Sequence, residues 1–371
     1  MISVCEPMLA GNEEKYVLDC LKTNWISSGG SYLKKFEEGF SRYCGVQYGI
    51  AVCNGTVALH LAYAALGIGP GDEVIMPTLT ISSTVFAALY CGAKPVFVDV
   101  QPDTWNMDPV QVEAKITKRT KAIVPVHMYG HPCDMDAILR IARKHRVAVI
   151  EDAAQAHGAE YKGRKAGSFG KLSCFSFYSN KIVTCGEGGM VVTDDARLAQ
   201  KCQSLKNLAF LKERRFFHKE IGFNYRMTNI QAAIGLAQLE QIDGMIARRR
   251  KNAHLYNQLL SQIPGLSLPV ECPDVQNVYW MYGVVVKPSF GMHRDELMQK
   301  LLDKGIETRT FFIPMHNQPV LKKAGCADGK KYPVAERLGR QGFYLPSGSG
   351  LKSQEIEYIV QCLKAIKQGR A

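Results

Sequence analysis

The chain has 371 residues, 46% of them hydrophobic and 22% charged, a composition typical of a folded globular protein with two or three domains. Its apolar runs stay shorter than the ~18 residues of a membrane-spanning helix. The first residues lack the basic and apolar regions of a signal peptide. We therefore expect no membrane partner.

Twelve cysteines occur singly along the chain, without a CxxC pair. This pattern predicts reduced thiols and a cytoplasmic location. The net charge is +12, and its densest run, "ARRRKNAH" at 247–254, has helical composition without interleaved aromatic residues. Such a run is typical of a solvated helix face, so we expect no nucleic-acid partner.

From about residue 46, short β-rich runs alternate with helical stretches. In chain order, the strand candidates are "YGIAVCN", "DEVIMP", "AKPVFVDV", "KAIVPVH" and "VAVIED". The segments between them are helical: "TVALHLAYAAL", the region 80–91, a helix opened by Asp108 and Pro109, and "DMDAILRIARKH". This alternation predicts an α/β fold with a mostly parallel central sheet flanked by helices. Functional residues are then expected directly after the strands.

A longer helix is predicted over about 228–260, with Thr228 as its N-cap and "IPG" at 263–265 as its end. The segment beyond it mixes strands such as "YWMYGVVV" with helices such as "RDELMQKLLDKG". We therefore expect a large domain over 1–240 and a smaller α+β C-terminal domain over 241–371, linked by the long helix.

The junction at Asn54–Gly55–Thr56 joins a predicted strand to a predicted helix. Backbone N–H groups at a helix N-terminus, together with a hydroxyl and a glycine that permits close approach, form an anion site. Thr56 is also an ordinary residue for a helix start. The junction is thus either a phosphate site or a simple helix cap.

Asp152 ends the predicted buried strand "VAVIED", and Gln155 follows three residues later. A carboxylate at such a position is costly to desolvate unless it has a cationic or hydrogen-bonding partner. One interpretation is a helix cap. The other is a carboxylate that keeps the pyridine nitrogen of pyridoxal phosphate protonated.

Lys181 stands between an aromatic strand-like run and the glycine cluster at 186–189. In a nucleotide P-loop the glycines precede the lysine and a helix follows it. Here the glycines come after the lysine, and 190–193 is predicted to be a strand, which excludes a P-loop. A surface charge is the ordinary alternative. A Schiff-base lysine needs this kind of rigid turn, and Ser176 on the preceding strand offers a hydroxyl to a phosphate.

Taken in order, "GTVALHLA", "GDEVIMP", "IEDAAQAHGA", "FSFYSNKIVTCGEGG" and "GFNYRMTNIQAAIGLAQL" resemble the nucleotide-sugar aminotransferase family. These are fold type I pyridoxal phosphate enzymes of the DegT and StrS kind, and the resemblance covers nearly the whole chain. It implies that Lys181 forms the Schiff base with the cofactor, Asp152 meets the pyridine nitrogen and Gln155 contacts the ring hydroxyl. The phosphate would be held by Gly55, Thr56 and Ser176.

By the same resemblance, Asn224 would reach the phosphate from the neighbouring subunit. This implies a homodimer or a higher homo-oligomer with shared active sites. Some relatives carry a histidine in place of the lysine and are dehydratases, so Lys181 favours transamination. One departure is Thr80–Ile81, where many members have an aromatic residue against the cofactor ring.

In this family L-glutamate donates the amino group in a ping-pong reaction, and a nucleotide-linked keto-sugar receives it. Three segments, among them "FFIPMHNQP", are most similar to enzymes that aminate C4 of GDP-4-keto-6-deoxymannose. Another UDP- or dTDP-linked 4-keto or 3-keto sugar, or an octulosonate, is the alternative. His316 would be a substrate-side residue on this resemblance, or otherwise a histidine that packs a loop.

His127, His131 and Cys133 raise the question of a metal site, but no fourth ligand with suitable spacing follows them. We therefore predict no metal. A nicotinamide dehydrogenase would also fit alternating strands and helices, but no GxGxxG follows the first strand. A catalytically silent binding protein is the third possibility, which the set of lysine, aspartate and glutamine disfavours.

Overall fold

The computed structural model describes residues 1–211, 213–214, 216–327 and 329–369. The helices are α1 (Glu13–Lys22), α2 (Ser31–Cys44), α3 (Gly55–Ala65), α4 (Ser82–Tyr90), α5 (Pro109–Ala114), α6 (Met135–His145), α7 (Ala196–Leu205), α8 (Asn229–Leu239), α9 (Ile242–Leu260), α10 (Arg294–Asp303), α11 (Pro319–Lys323), α12 (Pro333–Gln341) and α13 (Ser353–Lys367). Among the described residues, none of these helices combines the length and apolar composition that crossing a membrane requires.

Within the described residues, the strands pair into three sheets. They are β1 (Tyr48–Val52), β2 (Glu73–Pro77), β3 (Lys94–Val98), β4 (Thr120–Ile123), β5 (Ala148–Asp152), β6 (Glu160–Tyr161), β7 (Arg164–Lys165), β8 (Leu172–Ser176), β9 (Gly189–Thr193), β10 (Leu266–Ser267), β11 (Val275–Gln276), β12 (Tyr282–Val286), β13 (Arg309–Thr310) and β14 (Gly342–Leu345). The predicted strands at β1 to β5 and the helices between them are therefore present.

The central sheet has seven strands in the order β1-β9-β8-β5-β4-β2-β3. β9 runs antiparallel to both of its neighbours, and the other neighbouring pairs are parallel. The prediction of a mostly parallel sheet is confirmed. Alternate residues of β2 belong to two different hydrophobic clusters: Val74 and Met76 belong to one, and Ile75 belongs to the other. Both faces of the sheet are thus covered, as parallel strands require.

The C-terminal part forms a four-stranded antiparallel sheet, in the order β10-β12-β14-β13. A third hydrophobic cluster joins this sheet to α9, α10 and α13. Ile2 pairs with Ile306, so the first residues of the chain contact this C-terminal segment. The domain boundary between 240 and 241 stays a prediction.

The single helix predicted over 228–260 is wrong, because the structure divides it into α8 and α9. Thr228 does cap α8, through a capping box with Gln231. At Gln241 the backbone N–H bonds to Gln238, one residue closer than in an α-helix. The chain turns here because α8 packs against α1 and α2 whereas α9 packs against α13. Asn12 and Tyr16 hold the Glu240 carboxylate at the turn.

Candidate active site

A cavity of about 730 Å³ opens where β1, β5 and β8 end. These strands run parallel in the sheet, so the residues that follow them meet at one edge. The cavity is lined by six of the residues predicted from the sequence: Gly55, Thr56, Asp152, Gln155, Ser176 and Lys181. The opposite wall comes from the C-terminal part of the chain, through Trp280, Arg309, Phe312 and Tyr344.

The N-terminus of α3 forms one end of the cavity. The Asn54 side chain caps the helix by accepting a hydrogen bond from Val57 N–H at 3.0 Å. A Cβ atom at Gly55 would lie 2.7 Å from Cβ of Ser176, so only glycine fits there. Thr56 Oγ1 lies 2.8 Å from the hydroxyl of Ser83. Hydroxyl groups beside first-turn N–H groups form a cradle that fits a phosphate.

Asp152 also lines the cavity and is only 1% exposed. Its Oδ2 accepts a hydrogen bond from the Thr84 hydroxyl at 2.6 Å, and its Oδ1 accepts one from Ala154 N–H at 3.3 Å. Burial raises the pKa of Asp152, although these two bonds and the nearby Lys181 amine act in the opposite direction. A cationic group bound in the cavity would offset the cost of this buried carboxylate.

Lys181 lies in the turn between β8 and β9, where its N–H bonds to the carbonyl of Tyr178 at 2.9 Å. The antiparallel strands on either side hold this turn, as the glycine-rich pattern predicted. Burial lowers the pKa of Lys181 to about 7, although Asp152 and Cys5 act to raise it. A large fraction of the amine is therefore neutral at pH 7, as a nucleophile or a general base must be.

Gln155 is buried, and its side-chain oxygen accepts a hydrogen bond from Tyr129 N–H at 2.7 Å. Tyr129 has a positive φ of 52°, so this N–H is presented by an unusual backbone conformation. The bond orients the amide of Gln155, whose nitrogen remains as a donor toward a ligand in the cavity.

Two predicted residues lie outside the cavity lining. Asn224 is exposed and pairs with Asn207 on the surface of the chain. His316 is buried, with Nδ1 at 2.7 Å from the Thr78 hydroxyl and Nε2 at 3.4 Å from the Glu336 carboxylate. These contacts fit the packing interpretation of His316, and its substrate role stays a prediction.

The histidines of the "VHMYGHP" segment have partners within the protein. His127 Nδ1 accepts a hydrogen bond from Cys133 N–H, and its Nε2 lies 2.9 Å from the Glu151 carboxylate. His131 contacts Asn106 and the carbonyl of Pro132. Within the part of the chain that the structure describes, no group of three or more His, Cys, Asp or Glu residues could hold a metal ion.

Sequence reasoning missed Thr84 and the wall that includes Trp280 and Arg309. Thr84 lies in α4, a few residues beyond the end of β2, so the expectation that functional residues follow the strands points to its neighbourhood but not to Thr84 itself. Trp280 comes about a hundred residues after Lys181, and no spacing rule links the two. Ile81 lines the cavity and is 38% exposed. Which residue packs against a cofactor ring stays an open question.

Comparison with known proteins agrees with this geometry. The DegT/DnrJ/EryC1/StrS aminotransferase family matches residues 7–364. GDP-perosamine synthases from Caulobacter vibrioides and Escherichia coli O157:H7 are each 47% identical to the chain, over 98% of it and over 98% and 97% of their own lengths.

Two solved structures have the same fold. The S. venezuelae protein DesV has a TM-score of 0.90 at 37% identity, over 96% of this chain and 94% of its own. The PLP form of Spr1654, a putative sugar aminotransferase from Streptococcus pneumoniae, has a TM-score of 0.92 at 26% identity, over 100% and 99%.

The anion cradle, the buried carboxyl group and the lysine converge on one cavity, an arrangement that fits pyridoxal phosphate. The predictions of the fold class, of a sugar aminotransferase and of pyridoxal phosphate as cofactor are confirmed. The family match also removes the dehydrogenase and the silent binding protein from consideration. The chain belongs to the DegT/DnrJ/EryC1/StrS aminotransferase family.

Proposed function

We propose that this enzyme transfers the amino group of L-glutamate to C4 of GDP-4-keto-6-deoxy-D-mannose and so makes GDP-perosamine. The observation that carries the proposal is 47% identity, over nearly the full length, to two GDP-perosamine synthases. The cavity supports it, because it joins a phosphate cradle, a buried carboxyl and a lysine whose amine is partly neutral at pH 7.

Residues at the ends of the central-sheet strands, or just after them, would hold the cofactor. Gly55, Thr56 and Ser176 would bind its phosphate, Asp152 its pyridine nitrogen and Gln155 its ring hydroxyl. When bound, pyridoxal phosphate carries the amino group between the two substrates and withdraws electrons from the reacting carbon. Thr84 orients the Asp152 carboxylate through the 2.6 Å hydrogen bond, so that the charge faces the cavity.

Lys181 would hold the cofactor and move the proton. As a general base its amine would take the proton from Cα of the donor, and as a general acid it would deliver that proton to the other carbon that is protonated in the same half-reaction. A pKa near 7 suits both roles at neutral pH, because neither protonation state dominates. Arg309 on the opposite wall offers a positive charge to an anionic group of either substrate.

The test is to load the enzyme with pyridoxamine phosphate and offer it a panel of nucleotide keto-sugars. We expect the GDP-linked 4-keto-6-deoxymannose to be aminated with a kcat/KM at least about 10-fold above that of UDP- and dTDP-linked 4-keto or 3-keto sugars. Preference for one of those sugars, or for an octulosonate, would refute the GDP-perosamine assignment and leave the aminotransferase intact.

We also propose that the active site is shared within a homodimer or a higher homo-oligomer. Asn224 is exposed and lies outside the cavity of its own chain, which supports a role in a neighbouring subunit. The variants Lys181→Ala and Asn224→Ala should each be inactive alone. Mixed subunits should regain activity, because one of the two sites keeps both residues; no regain would contradict a shared site.

We further propose that the enzyme is located in the cytoplasm. All twelve cysteines are free thiols in the structure, which supports a reducing compartment. Fractionation of the source cells should recover the protein with cytoplasmic markers, and recovery with secreted proteins would contradict the placement.

A further inference from the structure

The amine of Lys181 lies against the face of the Trp280 ring. Its Nζ is 3.6 Å from the ring centroid, and Trp280 is 4% exposed while lining the same cavity. An ammonium group at this distance from an indole face is attracted by the ring's electrons, more strongly where water is excluded. The contact therefore favours the protonated form of the lysine.

Both the ring and the backbone of Trp280 are held in place. Its Nε1–H donates a hydrogen bond of 2.8 Å to the carbonyl of Asn180, the residue before Lys181. The preceding residue, Tyr279, has a φ of 47°, a strained conformation for a non-glycine residue. Gly130 packs closely there, since a Cβ atom at this glycine would lie 2.9 Å from Trp280 N. This backbone is thus held in an unusual shape that presents the ring.

A buried arginine anchors the same segment. Arg249 is 2% exposed, and its Nη1 donates to the carbonyls of Trp280 at 2.8 Å and Ser347 at 2.9 Å. Its Nε donates to the Ser349 hydroxyl, and its Nη2 lies 3.3 Å from the sulfur of Cys5. Segments distant in sequence therefore converge to hold one tryptophan over one lysine.

We propose that Trp280 is a positioning residue that receives the Lys181 amine whenever this amine is not bonded to the cofactor. The ring holds the ammonium group, formed when Lys181 takes the proton from the donor, inside the cavity until that proton is delivered to the second carbon. The inference rests on the proposed aminotransfer chemistry and is independent of which sugar is the substrate.

The other groups that face the amine act alongside the ring. The Asp152 carboxyl and the Cys5 thiol raise the pKa of Lys181, against the larger effect of burial. The ammonium group in turn helps burial to lower the pKa of His157. Other titratable side chains line the cavity: Tyr90, Cys174, Tyr178, Glu187, Arg309 and Tyr344.

The first test reads the contact without any substrate. The chain has three tryptophans, and Trp25→Phe with Trp105→Phe leaves Trp280 as the only one. In the full-length, cofactor-free enzyme, we expect the emission of Trp280 to change with a midpoint near pH 7, as the amine loses its proton. The change should vanish when Lys181→Met is added. No change near pH 7, or one that survives Lys181→Met, would overturn the proposal.

The second test uses the donor half-reaction of the cofactor-loaded enzyme, in which L-glutamate changes the visible absorbance. Trp280→Leu should slow the rate at saturating L-glutamate about 10-fold, with little change in the concentration for half-maximal rate. The acid limb of its pH profile should move to lower pH, because the ammonium group has lost a stabilising partner. Trp280→Phe keeps a ring and should lie between Leu and the natural residue.

A purely structural role of Trp280 would lower the rate of both variants without moving the acid limb of the pH profile. This outcome would overturn the proposal. Neither test involves a sugar. Failure of the GDP-perosamine assignment is therefore separable from failure of this inference.

Discussion

Glu151 and Asp152 are adjacent carboxyl residues on β5, and successive residues of a strand lie on opposite faces of the sheet. Both are buried, at 0% and 1% exposure. The oxygens of Glu151 accept hydrogen bonds from five groups of the protein: His127 Nε2, the N–H groups of Gly167, Phe169 and Gly170, and the Ser173 hydroxyl. Asp152 has one short bond, from Thr84, and faces the cavity.

The two pKa values move in opposite directions. Burial acts to raise both, but in Glu151 the bonds from His127 and the backbone overcome it and lower the pKa. In Asp152 burial prevails and the pKa is raised. A buried carboxylate that the protein satisfies fully stabilises the fold, whereas one left partly satisfied can receive a cationic ligand.

The largest effect is expected from Asp152→Asn. Turnover should fall about 10³-fold, because the amide cannot support a positive charge at the cofactor ring. The free energy of unfolding should change by less than about 1 kcal/mol or rise, since a costly buried charge is removed. Steady-state kinetics and urea unfolding measure the two. A variant that keeps its activity would place the essential carboxyl elsewhere.

Glu151→Gln should show the reverse pattern. The variant loses the charge that five donors surround, so the free energy of unfolding should fall by about 2–4 kcal/mol. Activity per folded molecule should stay within about threefold, because this side chain faces away from the cavity. Loss of activity in a stably folded Glu151→Gln enzyme would break the distinction between the two carboxyl groups.

Thr84→Val sharpens the assignment by removing the 2.6 Å bond to Asp152 while keeping the side-chain volume. We expect turnover to fall about 10-fold, equivalent to about 1.4 kcal/mol. Thr80→Val is the matched control, because the Thr80 hydroxyl contacts Thr84 and is one step further from Asp152. Equal losses in both variants would argue against a specific role for the Thr84 bond.

The smallest effect is expected at His157, a buried histidine that packs against Phe175 and Phe177. Burial, and next the Lys181 charge, lower its pKa from 6.5 to about 3. The unfolded chain therefore binds the proton first, and stability is lost as the pH falls from about 6.5 toward 3.

His157→Phe removes this titration. When the pH falls from 7.5 to 5.5, the free energy of unfolding of the variant should rise by about 1 kcal/mol relative to that of the natural protein. Urea unfolding at the two pH values measures this difference. A stability difference that does not depend on pH would show that His157 does not titrate in this way.

The sequence predicts much of this site because its residues follow strands. Alternating strands and helices place Gly55 and Asp152 at one sheet edge, and the glycine-rich turn after Lys181 is visible in the letters. The resemblance to a family then supplied the roles. The pair "ED" in "VAVIED" does not by itself tell which carboxyl faces a ligand, although strand alternation separates the two.

Other features depend on contacts between distant segments. Thr84 meets Asp152 across 68 positions, and Trp280 meets Lys181 across about a hundred, so no local period encodes either contact. The turn between α8 and α9 was missed because the helical composition continues through Glu240 and Gln241. Only packing against α1, α2 and α13 requires the chain to turn there.

The most direct test of the central claim is borohydride reduction of the enzyme loaded with pyridoxal phosphate, followed by mass spectrometry of its peptides. Reduction fixes the cofactor covalently on the amine that holds it. We predict that the visible absorbance disappears and that the added mass lies on Lys181 and on no other lysine. Mass on a different lysine, or loss of the absorbance without a labelled peptide, would contradict the assignment of this cavity as the active site.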